Sequence, residues 1–328
     1  MMIKLNYQTQ RSEVSDCMMG VIENTALYYQ LDYAYLYHGI WVFRFDKENN
    51  EGAPFWKRLS TPELINSHKQ IELYHGLAIQ KQEITTFEDF RCVLKEELSN
   101  GNPVAVCVNA YYCPWSGVYQ KYPLLHFCSL VAYDEDKDEV MCADPYFMRD
   151  IRPWPMQMLK AGLYHYYLFR VVKPVKDLSD WRKDVLLCAQ DKIENHAFEQ
   201  MIDMKDEILH DKNFLEELRM QNDQYSFELF YQMKYIGHSR YNHAEFLRYV
   251  AARIPAPQGT ELTISAEHLE QASILWKKAG LLFTKLAYLN NHRNIQKSIT
   301  GIAERMDECI HLERMAAERI IHITEDET

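Results

Sequence analysis

The stretch from Gly101 to Pro145 constrains this chain more than any other. Within it, VAVCVN, LHFCSLVAY and EVMCAD have strand composition and are separated by polar or turn-forming segments. His126 opens the second run and Asp144 closes the third. The acidic link from Asp134 to Lys137 is short enough to make those two runs an antiparallel pair. Such a pair brings Asp144 beside His126 despite their separation in sequence. An imidazole steered by a carboxylate is half of a nucleophile relay, so the chain must supply a nucleophile for the motif to have chemistry.

Cys17 is the candidate. The segment DCMMGVIENTALYYQL is periodic, with Val21, Ala26, Leu27 and Leu31 marking a buried helix face, and Asp16 or Ser15 can cap it. Cys17 then sits in the first helical turn. There the unsatisfied backbone N–H groups and the helix dipole favour a thiolate. The same N–H groups are placed to stabilise an oxyanion.

The rest of the first half alternates. YLYHGIWVFRFD reads as a strand, residues 47–62 as a polar loop, and residues 62–75 as a short helix beginning at the Thr61–Pro62 pair. LAIQKQEI reads as an exposed strand. FEDFRCVLKEELSNG is an amphipathic helix through Phe87, Phe90, Val93, Leu94 and Leu98, ended by Gly101. Residues 151–161 read as connective, because Pro153 and Pro155 block regular structure. LYHYYLFRVVKP is a strand, and Lys173–Pro174 marks a boundary. From Asp177 the pattern turns helical, in blocks 178–210, 211–222, 224–235, 241–253, 265–290 and 294–322. The expected fold is therefore α+β: residues 1–174 as a domain with an antiparallel sheet, and residues 175–328 as an all-helical domain.

The length of 328 residues suits two domains, and the net charge of -11 argues against nucleic acid as a partner. An acidic surface favours a cationic small molecule and disfavours an acidic protein unless a local basic patch corrects it. No apolar run approaches membrane-spanning length, and the N-terminus lacks a signal core, so a cytoplasmic protein without membrane contact is expected. Eight cysteines without a CxxC pair read as buried thiols, with no metal site.

Three segments carry a family resemblance: DCMMGVIENTALYY, GNPVAVCVNAYYCPW and LHFCSLVAYDEDKDEVMCADPYF. The order of helix-borne Cys, strand-opening His and strand-closing Asp resembles the papain-like layout. More narrowly, the chain resembles the amino-terminal domain family of the butirosin-pathway acyltransferase, itself similar to the peptidase domains of bacteriocin-exporting ABC transporters. GHSRYNHAEFLRYVAAR and the long helices after it resemble the second domain of those proteins. The resemblance implies that Cys17 is acylated, that His126 is the base and that Asp144 orients it. The implied donor is an acyl or aminoacyl thioester on the phosphopantetheine arm of an acyl or peptidyl carrier protein. The implied acceptor is a small-molecule amine in antibiotic or nonribosomal peptide biosynthesis. No bound cofactor is expected, and a homodimer is admitted.

Papain-like enzymes place a Gln ahead of the Cys as an oxyanion donor, which makes Gln10 the candidate. The family places a His or similar residue directly before the Cys, where this chain has Asp16, whose charge opposes a thiolate. Asn109, Tyr111, Tyr112 and Trp115 are candidates for an acyl or acceptor pocket. Arg240, in a cluster expected to open a helix after Gly237, is a further pocket candidate. Two other readings stand beside acyl transfer: a peptidase, amidase, thioesterase or cyclase of the same fold, and a non-catalytic scaffold that binds a carrier protein.

Overall fold

The computed structural model describes residues 2–47, 54–60, 65–210, 214–220 and 226–325. In chain order the first elements are β1 (Met2–Lys4), α1 (Cys17–Tyr28), β2 (Arg44–Phe45), β3 (Leu59–Ser60), α2 (Ile65–His75), β4 (Leu77–Glu83) and α3 (Phe87–Ser99). Next come β5 (Val104–Asn109), β6 (Leu125–Asp134), β7 (Glu139–Ala143), β8 (Arg152–Pro155), α4 (Met156–Gly162) and β9 (Leu163–Val171). The remainder is helical: α5 (Trp181–Glu194), α6 (Ala197–His210), α7 (Phe214–Met220), α8 (Ser226–Ala251), α9 (Gln258–Ala287) and α10 (His292–Glu325). An α+β portion with an antiparallel sheet followed by an all-helical region is the fold class expected from the sequence. The start of α2 at the Thr61–Pro62 pair lies outside the described residues.

The chain divides into two compact units, and neither is continuous in sequence. Met1–Leu36 joins His68–Lys176, and Tyr37–Ser67 joins Asp177–Thr328.

In the first unit the strands run in the order β4-β9-β5-β6-β7-β8, with β1 also on β6, and every pairing is antiparallel. Its core gathers Val104, Val106 and Val108 of β5, Cys128 and Leu130 of β6, and Phe90, Leu94 and Leu98 of α3. α3 starts where the Thr86 hydroxyl accepts the Asp89 N–H at 3.1 Å, and Glu88 and Asp89 in its first turn suit the positive end of the helix. Pro153 and Pro155, expected to block regular structure, lie in β8 instead. That strand is the edge of the sheet, where a missing N–H costs no ladder bond. Gly76, between α2 and β4, has φ +72°, and a Cβ there would lie 2.2 Å from the Val172 carbonyl oxygen.

The second unit is built on α5–α10 with the β2–β3 pair. The strand expected over YLYHGIWVFRFD is reduced to β2 and a single 3-10 turn at Ala34–Tyr37. Its aromatic side chains are used in helical packing: Phe43 stacks on Trp276 at 5.7 Å, and Trp41 meets His243 at 5.4 Å. The expected helix break near Gly237 is absent, and α8 runs through it. The missing side chain lets α9 approach closely, since a Cβ there would lie 3.1 Å from the Ser273 carbonyl oxygen. The single block expected over 178–210 divides into α5 and α6 at His196, which has φ 52°. Among the described residues no helix is long and apolar enough to cross a membrane.

Candidate active site

The site begins at the tip of α1. Asp16 is the N-cap, its Oδ1 accepting the Met19 N–H at 2.7 Å. Burial raises the Asp16 pKa, against the pull of the Met19 and Met18 N–H groups. Cys17 follows as the first helical residue and is half-buried. Among the described residues no hydrogen bond takes the Cys17 backbone N–H. Gly20, one turn on, is where α1 meets the Asp144–Pro145 turn. A Cβ there would lie 3.1 Å from Pro145 Cγ.

His126 and Asp144 meet across β6 and β7. Near their connecting turn the strands pair Asp134 with Glu139 and Ala132 with Met141. Beyond Val131 the register slips by one, so that Leu130 pairs with Cys142 and Ser129 with Ala143. Continued one step, this register puts Asp144 opposite Cys128, on the same face as His126. Without the bulge Asp144 would fall opposite Ser129, on the other face. The imidazole Nε2 donates to Asp144 Oδ2 at 2.7 Å, with both side chains at most 2% exposed. Cys17 is close enough to His126 to help raise its pKa. Because Nε2 is committed to Asp144, Nδ1 is the nitrogen left for the thiol. Burial disfavours the imidazolium, but the Asp144 charge and hydrogen bond, together with the Cys17 thiol, outweigh it. The His126 pKa is held well above 6.5.

Asp144 accepts four hydrogen bonds. Oδ2 takes His126 Nε2 and, at 2.7 Å, the indole Nε1–H of Trp115; Oδ1 takes the backbone N–H groups of Tyr146 and Phe147 at 3.0 and 3.1 Å. The carboxylate thus both closes the strand-ending turn and aims the imidazole. Phe147 packs on the His126 ring at 4.8 Å.

The other expected site residues are placed differently. Trp115, expected as pocket lining, is a positioning residue for Asp144. Its indole donor role carries no sequence signal, because it depends on the loop after β5 folding back to the end of β7. Asn109 caps the short turn at Ala110–Tyr112, accepting the Tyr111 N–H at 3.0 Å. Tyr111 and Tyr112 are half-buried and meet edge-to-face at 5.1 Å. Tyr112 also covers Gly162 and accepts the Trp154 indole N–H through its carbonyl at 3.0 Å, so it is structural packing. Gln10 is exposed, and its backbone N–H and C=O are both held by the Asn24 side chain on α1, at 2.6 and 2.9 Å. Among the described residues its side-chain amide makes no hydrogen bond.

Arg240 is corrected as a pocket candidate. It lies in α8, in the core of the second unit, with 0% exposure. It grips Glu313 through Nε at 2.8 Å and a terminal nitrogen at 3.0 Å, and donates to the Val42 carbonyl at 2.8 Å. Trp41 and Trp276 donate their indole N–H groups to the same carboxylate, and Lys192 sits 3.3 Å from it. A guanidinium so satisfied and enclosed is structural.

All eight cysteines are free thiols. Cys17 is half-buried, Cys92 exposed and the other six buried. Among the described residues no group of three or more His, Cys, Asp or Glu is placed to hold a metal ion. No curated protein matches the chain significantly. The family model described as the Peptidase_C39 like family matches residues 52–168, a span that contains His126 and Asp144 and starts downstream of Cys17. Over residues 52–168 the chain is thus similar to the C39-like peptidase family, a papain-like cysteine-peptidase group.

Proposed function

We propose that this chain is a cysteine-dependent acyltransferase, with Cys17 as nucleophile, His126 as the proton carrier and Asp144 as its orienter. The observation that carries the reading is the imidazole held by Asp144 at 2.7 Å through Nε2, with its other nitrogen left for the thiol. In the first half-reaction the Cys17 sulfur attacks the carbonyl carbon of a thioester, forming a C–S bond. The oxyanion that develops lies at the tip of α1, where the uncommitted Cys17 N–H supplies a donor. The donor's C–S bond then breaks, and the departing thiolate takes the proton from His126. In the second half-reaction a neutral amine attacks the acyl-Cys17 thioester. His126 accepts the amine proton as the Cys17 sulfur leaves.

The donor is an acyl or aminoacyl group on the phosphopantetheine arm of a carrier protein, and the acceptor is a small-molecule amine. Both follow from the resemblance of the three N-terminal segments to the butirosin-type family. A second reading, amide or peptide hydrolysis, uses the same first half-reaction and is favoured by the peptidase-like family match over residues 52–168. Incubation with acyl-carrier thioesters, read by intact mass, separates the two. Acyl transfer predicts a covalent acyl adduct that is lost in Cys17→Ala and discharged by an amine faster than by water. Cleavage of peptide substrates with no thioester adduct would overturn the acyltransferase reading.

A further inference from the structure

Where α9 turns into α10 the second unit carries a cleft of about 860 Å³, within the about 300–1,000 Å³ of small-molecule sites. Lys285 near the end of α9 and Arg293, Lys297 and Arg305 of α10 line it, and Glu304 is the one acid among the described residues that do so. The chain as a whole is acidic, with a net charge of -11, so this gathering of cations is local. Among the described residues none of the four cations has a carboxylate within ion-pair reach. The Arg305 guanidinium folds back over Gly301 and donates to its carbonyl. A Cβ on Gly301 would lie 3.2 Å from that guanidinium nitrogen and 3.5 Å from Leu282 Cδ1, so the glycine keeps this part of the cleft open.

The charges at the start of α10 weaken that helix rather than support it. Its first turn contains no acid, while Arg293 stands where the helix dipole is positive. Arg293 and Lys297 are four residues apart and repel along one face. Ser298 adds an independent sign. It lines the cleft at 5% exposure, and among the described residues its hydroxyl makes no hydrogen bond. A buried hydroxyl without a partner costs stability, and an anion seated in the cleft supplies the missing acceptor.

We propose that this cleft binds a small molecule carrying two or more phosphate groups. Arg293 and Arg305 are separated by about 18 Å of helix, at about 1.5 Å per residue, which is more than one phosphate spans. Linked phosphates engage the whole row. Phosphate suits the donors better than carboxylate, because its oxygens accept from guanidinium forks, ammonium groups and a hydroxyl at once. Glu304 leaves an acceptor for a hydroxyl or amine elsewhere on the same ligand. A broad acidic protein surface would meet the exposed Arg293 and Lys297 but not the buried Ser298 hydroxyl. The inference is independent of the chemistry proposed for Cys17.

The test is isothermal titration calorimetry of the intact chain with ADP, inorganic pyrophosphate, the tricarboxylate tricarballylate and poly-L-glutamate. ADP and pyrophosphate should each bind one to one, about tenfold more tightly than tricarballylate. Arg293→Gln and Lys297→Gln should each weaken both phosphates about tenfold, the worth of one hydrogen bond to a charged group. Lys183→Gln, which removes an exposed cation of α5, should change neither. Glu304→Gln should tighten both. Ser298→Ala should weaken both about fivefold while the thermal unfolding midpoint of the free protein stays level or rises, because the lost hydroxyl had no partner. A merely structural serine would lower the midpoint and leave affinity alone, and that result would overturn the proposal. So would equal affinity for tricarballylate, or phosphate binding that survives both Arg293→Gln and Lys297→Gln. Saturable binding of poly-L-glutamate with none of either phosphate would overturn it in favour of an acidic protein partner.

Discussion

Replacing Asp144 by Asn should reduce the reactivity of Cys17 by about a thousandfold, although the two side chains have the same shape. All four partners of the Asp144 carboxylate are donors: His126 Nε2, the Trp115 indole N–H, and the backbone N–H groups of Tyr146 and Phe147. An amide has only one acceptor atom, so its NH2 must face two of these donors. If it faces His126, the ring adopts the tautomer with its proton on Nδ1, and the thiol loses its acceptor. The charge is lost in either orientation. With Nε2 and Oδ2 2.7 Å apart, the centres of imidazolium and carboxylate charge lie about 4 Å apart, which at an effective dielectric of about 20 is worth about 4 kcal/mol. At about 1.36 kcal/mol per factor of ten, that is about a thousandfold in the thiolate–imidazolium population. The assay is the second-order rate of alkylation by iodoacetamide between pH 5.5 and 9, with Cys92 as internal reference and circular dichroism to check folding. The native protein should stay more reactive than the variant across this range, because the Asp144 charge and hydrogen bond hold the His126 pKa well above 6.5 and favour an imidazolium beside the sulfur. Asp144→Asn should instead rise with pH as an ordinary thiol does. A folded variant whose rate at pH 7 stays within tenfold of the native protein would refute the reasoning.

Trp115→Phe removes one donor from Asp144 Oδ2 and keeps most of the ring, so Cys17 alkylation should slow by about tenfold, the worth of about 1.5 kcal/mol for one hydrogen bond to a charged group. Glu313→Ala leaves Arg240 and Lys192 buried without their counter-charge and should cost about 3–5 kcal/mol in denaturant unfolding. Burial and Arg240 lower Lys192 to about 7 despite Glu313, so the unfolded chain binds more protons between about pH 7 and 10.5. Stability should therefore rise with pH across that window, and Lys192→Met should abolish the slope without net destabilisation at pH 7. Against burial, Arg240 and Lys192 hold Glu313 at about 2, so its contribution is complete above about 4.5 and lost as pH falls through about 2. Gly76→Ala should cost more than about 2 kcal/mol, because left-handed backbone is combined with an overlap on the Val172 carbonyl. Gly101→Ala, at φ +84° with open space around it, should cost about 1 kcal/mol. Equal unfolding midpoints for the two glycine variants would show that the Val172 approach is unimportant.

The sequence by itself determined the elements that local chemistry dictates. Asp16 before an apolar period starts α1 at Cys17, Thr86 and Gly101 bound α3, and the three runs between Val104 and Ala143 are strands because their composition suits little else. It also placed an imidazole at the start of one strand and a carboxylate at the end of the next. Tertiary structure decided what those side chains touch. The segment YLYHGIWVFRFD looks strand-like locally but supplies Trp41 and Phe43 to a helical core, and Arg240 looks like a binding residue but is enclosed around Glu313. Most consequential is the bulge at Val131. Strand periodicity fixes only that side chains alternate, and one unpaired residue reverses which face every later residue occupies. Composition does not encode that slip. It arises from how the strands pack, and it is what sets Asp144 on the face of His126.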